Sequence, residues 1–105
     1  MSPGGAMYRI VWEFEPDVAR VAEFEREYGS EGAWNALFRR GVGYLGTELV
    51  RSTTDRSRYL TVDRWISRSA YEAFRAAFRE EYAALDARCA ALTRTERLVS
   101  AAEEP

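Results

Sequence analysis

The sequence predicts an α+β fold: one antiparallel sheet of four strands, with helices on one side of it. Three observations carry this. Strand-type and helix-type patterning follow each other in the order strand, helix, strand, strand, helix, strand. The helical stretches each carry an apolar stripe on one face. The chain has 105 residues, which suits one domain with one core. That element order is the split βαβ, ferredoxin-like arrangement.

Residues 1–6, with Pro3, Gly4 and Gly5, read as a flexible lead-in. The domain proper is expected over 7–100. Met7 to Glu15 alternates, with Tyr8, Ile10, Trp12 and Phe14 on one face and Arg9, Val11, Glu13 and Glu15 on the other. That is a half-buried strand. Pro16 and Asp17 end it, and Asp17 is placed to cap a helix in which Val18, Val21, Phe24 and Tyr28 share a face. Gly29-Ser30-Glu31-Gly32 interrupts that helix. A shorter one resumes with Trp34, Leu37 and Phe38, closed by Arg39 and Arg40 at the negative end of its dipole.

Gly41-Val42-Gly43 turns the chain into a second strand, Tyr44 to Ser52. Gly41 to Gly46 matches G-x-G-x-x-G literally. A nucleotide site needs a strand before that motif and a helix after it. Here the order is reversed, so the glycines are read as turn residues. Thr53 to Ser57 is a polar hairpin connection, and Arg58 to Ile66 is the third strand. Ser67 follows as an N-cap, with Ser69 and Glu72 at capping-box spacing. One long helix is predicted to about Leu92, with Tyr71, Phe74, Phe78, Tyr82, Leu85, Cys89 and Leu92 as its stripe. Thr93 to Ser100 forms the last strand, and 101–105 a flexible acidic tail.

Composition narrows the function. All fifteen basic residues are arginine, and there is no lysine and no histidine. That removes lysine Schiff bases, Ser-His-Asp triads, and histidine ligands to a metal or haem. Cys89 is the single cysteine, so no internal disulfide and no thiolate cluster forms. No metal or other cofactor site is expected. Net charge is −2 and the arginines are interleaved with acids, so no nucleic-acid surface is expected. No apolar run approaches the ~20 residues of a membrane span, and the N-terminus lacks a signal-peptide pattern. The expected location is cytoplasmic.

Leu45, Leu49, Leu60, Val62, Ile66 and Leu98 lie in strands read as apolar on both faces. Such a sheet needs cover on both sides. With no third layer in the chain, the expectation is a homodimer joined through the open sheet face.

Trp65 shares a strand face with Tyr59, Thr61 and Asp63. It either lines a pocket with a polar lining or plugs the core; the pattern alone allows both. Asp63 is the acid predicted to face inward. Burial would raise its pKa, as a general base for a phenol needs; an ion pair with an arginine is the other reading. Glu48 points to the rim or to the dimer seam. Trp34, Phe38, Phe74 and Phe78, with Trp12 on the first strand, are candidates for an aromatic enclosure, or equally for plain core. Three Trp, six Tyr and five Phe in so short a chain favour a ligand with flat apolar faces.

Gly43-Tyr44-Leu45-Gly46-Thr47-Glu48 and Trp65-Ile66-Ser67-Arg68-Ser69-Ala70-Tyr71, in this element order, resemble the antibiotic biosynthesis monooxygenase domain over roughly Met7 to Ser100. The resemblance implies a homodimeric α/β barrel with a pocket between sheet and helices in each subunit. It further implies oxidation of a small aromatic or polyphenolic molecule by dioxygen, without metal or flavin. Trp65 and Tyr71 match pocket residues of the family. Quinone-forming members carry an asparagine where Thr61 stands here. Haem-degrading members use a first-strand asparagine and a helix histidine, and this chain has neither. The expected site is therefore Trp65, Tyr71 and Asp63 for chemistry, with Trp12, Trp34, Phe38, Tyr59, Thr61, Phe74 and Phe78 around the substrate. The alternative is a homodimer of the same fold that binds a ligand, or serves structurally, without catalysis.

Overall fold

Strand β1 (Met7–Pro16) is central and pairs on both sides, with β3 and β4, the β4 pairing being the longest in the sheet. The structure, a computed structural model, describes residues 6–105. The lead-in predicted over 1–6 falls almost wholly outside these. A 3₁₀ turn (Val18–Arg20) leads into α1 (Val21–Tyr28), and α2 (Ala33–Phe38) follows. Strands β2 (Tyr44–Arg51) and β3 (Tyr59–Trp65) form a hairpin. Helices α3 (Arg68–Ala77) and α4 (Arg79–Cys89), a second 3₁₀ turn (Ala90–Leu92) and β4 (Thr93–Glu104) complete the chain. The sheet is antiparallel in the order β2-β3-β1-β4. This is the expected ferredoxin-like architecture.

The alternation read in β1 and β3 is what orients them. Tyr8, Ile10 and Phe14, and Tyr59, Thr61, Asp63 and Trp65, are buried under the helices, while Arg9, Val11 and Glu13, and Leu60, Val62 and Arg64, on the other face are only half-buried. Phe24 and Tyr28 of α1 pack on Phe14, with ring centroids 5.5 and 4.9 Å away. Ser67 caps α3 as predicted: its hydroxyl accepts from Ala70 N at 3.0 Å. Glu72 does not complete a capping box with Ser69. It pairs with Arg68 one turn back, at 3.0 Å.

Four expectations need correction. The long helix is bent at Phe78, whose backbone (φ −114°, ψ 30°) leaves the helical region between α3 and α4. Val18 is 82% exposed, because the 3₁₀ turn capped by Asp17 carries it out of the stripe that α1 begins at Val21. The tail is not loose through Glu104: Ala101 to Glu104 continue β4 and pair with Met7 to Ile10. A bulge at Val11/Trp12 shifts the β4 register and lets the strand run on.

The fourth concerns the open sheet face. Cross-strand partners place Val11, Val50, Leu60 and Val62 there. Leu49 and Leu98 lie opposite Thr61 and Trp12, on the helix-facing side, and Leu45 sits in the β2 bulge. Charges fill the rest of the face: Arg64 meets Glu48 at 3.1 Å and Glu104 at 3.6 Å, and Arg97 meets Glu13 at 2.9 Å. The face is a small aliphatic patch inside a ring of ion pairs. Among the described residues, no helix is long and apolar enough to cross a membrane.

Candidate functional site

A cavity of about 220 Å³ lies between the sheet and the helices. Its sheet-side wall is Trp12 and Phe14 from β1, Thr61 and Asp63 from β3, and Thr47 from β2. Tyr28, Trp34 and Phe38 cover it from α1 and α2. Arg75, Tyr82, Asp86 and Glu96 close the remaining side, and three of these (Arg75, Asp86, Glu96) are exposed to water. An apolar enclosure with a few convergent polar groups is the usual form of a small-molecule site, and this one is at the small end.

Asp63 is the buried acid of this wall, at 7% exposure. Burial pushes its carboxyl up to about 6, and the Thr47 hydroxyl, 2.6 Å away, pulls the other way. The ion pair with arginine is not made among the described residues. Arg75, the cation nearest in the cavity wall, is held elsewhere. It donates to Tyr71 Oη at 2.9 Å and stacks on Tyr82, 3.7 Å from the ring centroid.

Thr47 Oγ1 in turn contacts Tyr44 Oη at 2.5 Å, and Tyr44 donates to Asn35 Oδ1 at 2.7 Å. Asn35 Nδ2 donates to Gly29 O at 3.2 Å. A hydrogen-bond chain thus runs from the cavity acid through β2 to the loop before α2. Burial pushes the Tyr44 phenol up. Glu96 is pushed up as well, by burial first and by Asp86 second. The indole N–H groups of Trp34 and Trp65 are buried without a hydrogen-bond partner among the described residues.

Of the residues predicted to surround a substrate, Trp12, Trp34, Phe38 and Thr61 stand in the cavity wall together with Asp63. Trp65 does not. It is fully buried, packed by Tyr44, Tyr71 and Phe74 at 5.2, 5.6 and 5.0 Å between centroids. Gly41 lets it lie that close to the chain: a Cβ there would stand 2.9 Å from Trp65 Cη2. Tyr71 and Phe74 belong to the same cluster, and Phe78 extends it under Arg40. Tyr59 is at the far end of β3, where its hydroxyl donates to Glu25.

Sequence reasoning missed Phe14, Tyr28, Tyr82, Thr47, Arg75, Asp86 and Glu96 as wall residues. Tyr28 and Tyr82 were read only as stripe positions. Thr47 needed the register of β2 on β3, which puts it opposite Asp63.

The antibiotic biosynthesis monooxygenase model matches residues 7–88. Solved structures share the fold. A Pseudomonas aeruginosa protein superposes with TM-score 0.70 at 15% identity, covering 99% of each chain. A Shewanella oneidensis protein gives 0.65 at 14%, covering 95% of this chain and 92% of that one. SnoaB, a cofactor-independent oxygenase from Streptomyces nogalater, gives 0.62 at 24%, covering 92% and 94%. No curated protein matches.

Proposed function

The chain belongs to the antibiotic biosynthesis monooxygenase family, and from that premise we infer that it oxidises a small phenolic or polyphenolic molecule with dioxygen in the cavity beside Asp63. The observation that carries this is a buried carboxyl, which burial pushes up to about 6, set among the aromatic walls of a cavity. A proton acceptor with that value suits general-base work near neutral pH.

Asp63 takes the phenolic proton. The electron-rich anion passes one electron to dioxygen, and the two radicals combine at the ring carbon. Asp63 returns its proton to the peroxide, the O–O bond breaks as the ring carbon gives up its C–H hydrogen, and water leaves a carbonyl, so one oxygen atom enters the product and the other departs with those two hydrogens. The chain's own part is to bind, orient and deprotonate. Trp12, Trp34 and Phe38 hold the ring, and Thr61 bonds one of its oxygens. Trp65 and Tyr71, placed behind this wall, act by holding β3 and α3 in position.

The test is a panel of anthrones and hydroquinones turned over in air and under argon. Oxygen-dependent product well above the buffer rate is expected. No such product across the panel would overturn the reading. A second reading, binding without turnover, draws on the sealing of Trp65 from the cavity and on Thr61 standing where quinone-forming relatives carry asparagine. It predicts quenching of Trp12 and Trp34 fluorescence by the same compounds with no product.

The protein is read as a homodimer through the open sheet face. Val11, Val50, Leu60 and Val62 offer the aliphatic centre, and the ring of ion pairs offers a polar rim, the usual anatomy of an interface. Sedimentation equilibrium is expected to give twice the 12.0 kDa chain mass. A monomer at micromolar concentration would remove the dimer from the reading but leave the cavity chemistry intact.

A further inference from the structure

Three contacts join the side chains of Asp63, Thr47, Tyr44 and Asn35, and each is oxygen to oxygen: 2.6, 2.5 and 2.7 Å in turn. Each contact needs one proton between its two oxygens. The Thr47 and Tyr44 hydroxyls bring two. Asn35 brings none. Its Nδ2 donates to Gly29 O, and the inverted amide would set two acceptors against each other. The third proton can come only from Asp63 in its acid form. When Asp63 is ionised, two protons serve three contacts, and one oxygen pair faces itself bare. That pair is Tyr44 and Thr47, both half-buried, between Asn35 and Asp63 at 4% and 7% exposure.

We propose that Asn35, Tyr44 and Thr47 are positioning residues that leave the ionised Asp63 one proton short, and so strengthen it as a proton acceptor toward a phenolic ligand. This rests on the reading of Asp63 as the base. Taken as an isolated pair, Thr47 is a donor to the carboxylate and weakens it as a base. As a member of the chain, its one proton is contested by Tyr44, and the balance reverses. The other titratable groups facing Asp63 do not supply the missing proton through this chain. Arg75 of α3 is engaged by Tyr71 and Tyr82, and Tyr28, Asp86 and Glu96 line the other sides of the cavity.

The test is a carboxyl-carbon NMR titration of Asp63 in the full chain. Tyr44→Phe keeps the ring against Phe38 and Trp65, 5.5 and 5.2 Å away, and removes only the hydroxyl. The Thr47 proton then serves Asp63 alone, and the titration midpoint is expected to fall by about one unit. Asn35→Ala releases the Tyr44 proton to Thr47 and should give the same fall by a different route. Thr47→Ser keeps the chain and should leave the midpoint in place. A midpoint that stays or rises in Tyr44→Phe overturns the proposal, since Tyr44 does not touch Asp63 and a packing role alone would not move it downward. The titration needs no turnover. If the shifts occur but the phenol panel gives no product, the oxidation reading fails and the chain stands.

Discussion

The Asp63→Asn variant is expected to lose turnover and, at pH 8, to gain stability. Both follow from one carboxyl. Burial lifts it from an ordinary 3.8 to about 6 in the folded protein. In the unfolded chain it titrates near the ordinary value. Between the two values the folded state still holds a proton that the unfolded state has released. Stability therefore falls as pH rises through about 4 to 6, and this contribution is flat above that. Two units correspond to about 3 kcal/mol. Glu96, also pushed up by burial, adds a term of the same sign, while Asp55, held low by Ser57, opposes it from the surface.

An amide at position 63 has no charge to bury. Its N–H can donate to Thr47, which can then donate to Tyr44, and Tyr44 to Asn35, so the hydrogen-bond chain is complete at every pH. Thermal melts at pH 4 and pH 8 should show the wild type losing stability between them and the variant losing much less. Turnover should fall by about 10² to 10⁴, the usual weight of a general base. Stability and activity moving in opposite directions is the signature of a group strained for function. A variant that loses both would mean that Asp63 is a packing residue, and the base assignment would go.

The fold was legible because β1 and β3 keep a strict two-residue period, and each helix declares itself by a stripe or a cap. Ser67 was visible as a cap because it stands directly between a strand pattern and a helix pattern. What stayed hidden depended on register or on bends. The stripe from Tyr71 to Leu92 is the same whether the helix is straight or bent at Phe78, since all these positions face the core in either case. Likewise the two sides of β2 looked alike in composition. Only the bulge at Tyr44/Gly46 sends Leu49 and Thr47 to the helix side and Val50 and Glu48 to the other. Gly46 permits that bulge with φ at +139°, a conformation that residues with a side chain rarely adopt. The Asn35–Tyr44–Thr47–Asp63 chain joins three elements, so no single window of sequence could display it.

Trp65 separates the two meanings of an aromatic near a site. Trp65→Ala is expected to destabilise the fold by about 3–5 kcal/mol, because a fully buried indole leaves a cavity that close packing cannot refill. In urea the midpoint should drop sharply with the slope unchanged. Trp65→Phe keeps a ring against Phe38 and Phe74 and should recover much of that loss. The decisive measurement is ligand binding by this milder variant. Trp65 lies behind the cavity wall, so Trp65→Phe should bind the phenol as the wild type does. Trp34→Phe replaces a wall indole with a smaller ring, and should weaken binding more than it weakens the fold. If Trp65→Phe is as stable as the wild type yet no longer binds, the cavity must open toward Trp65 when occupied. The substrate would then sit one layer deeper than the empty space indicates, against Trp65, Tyr71 and Phe74.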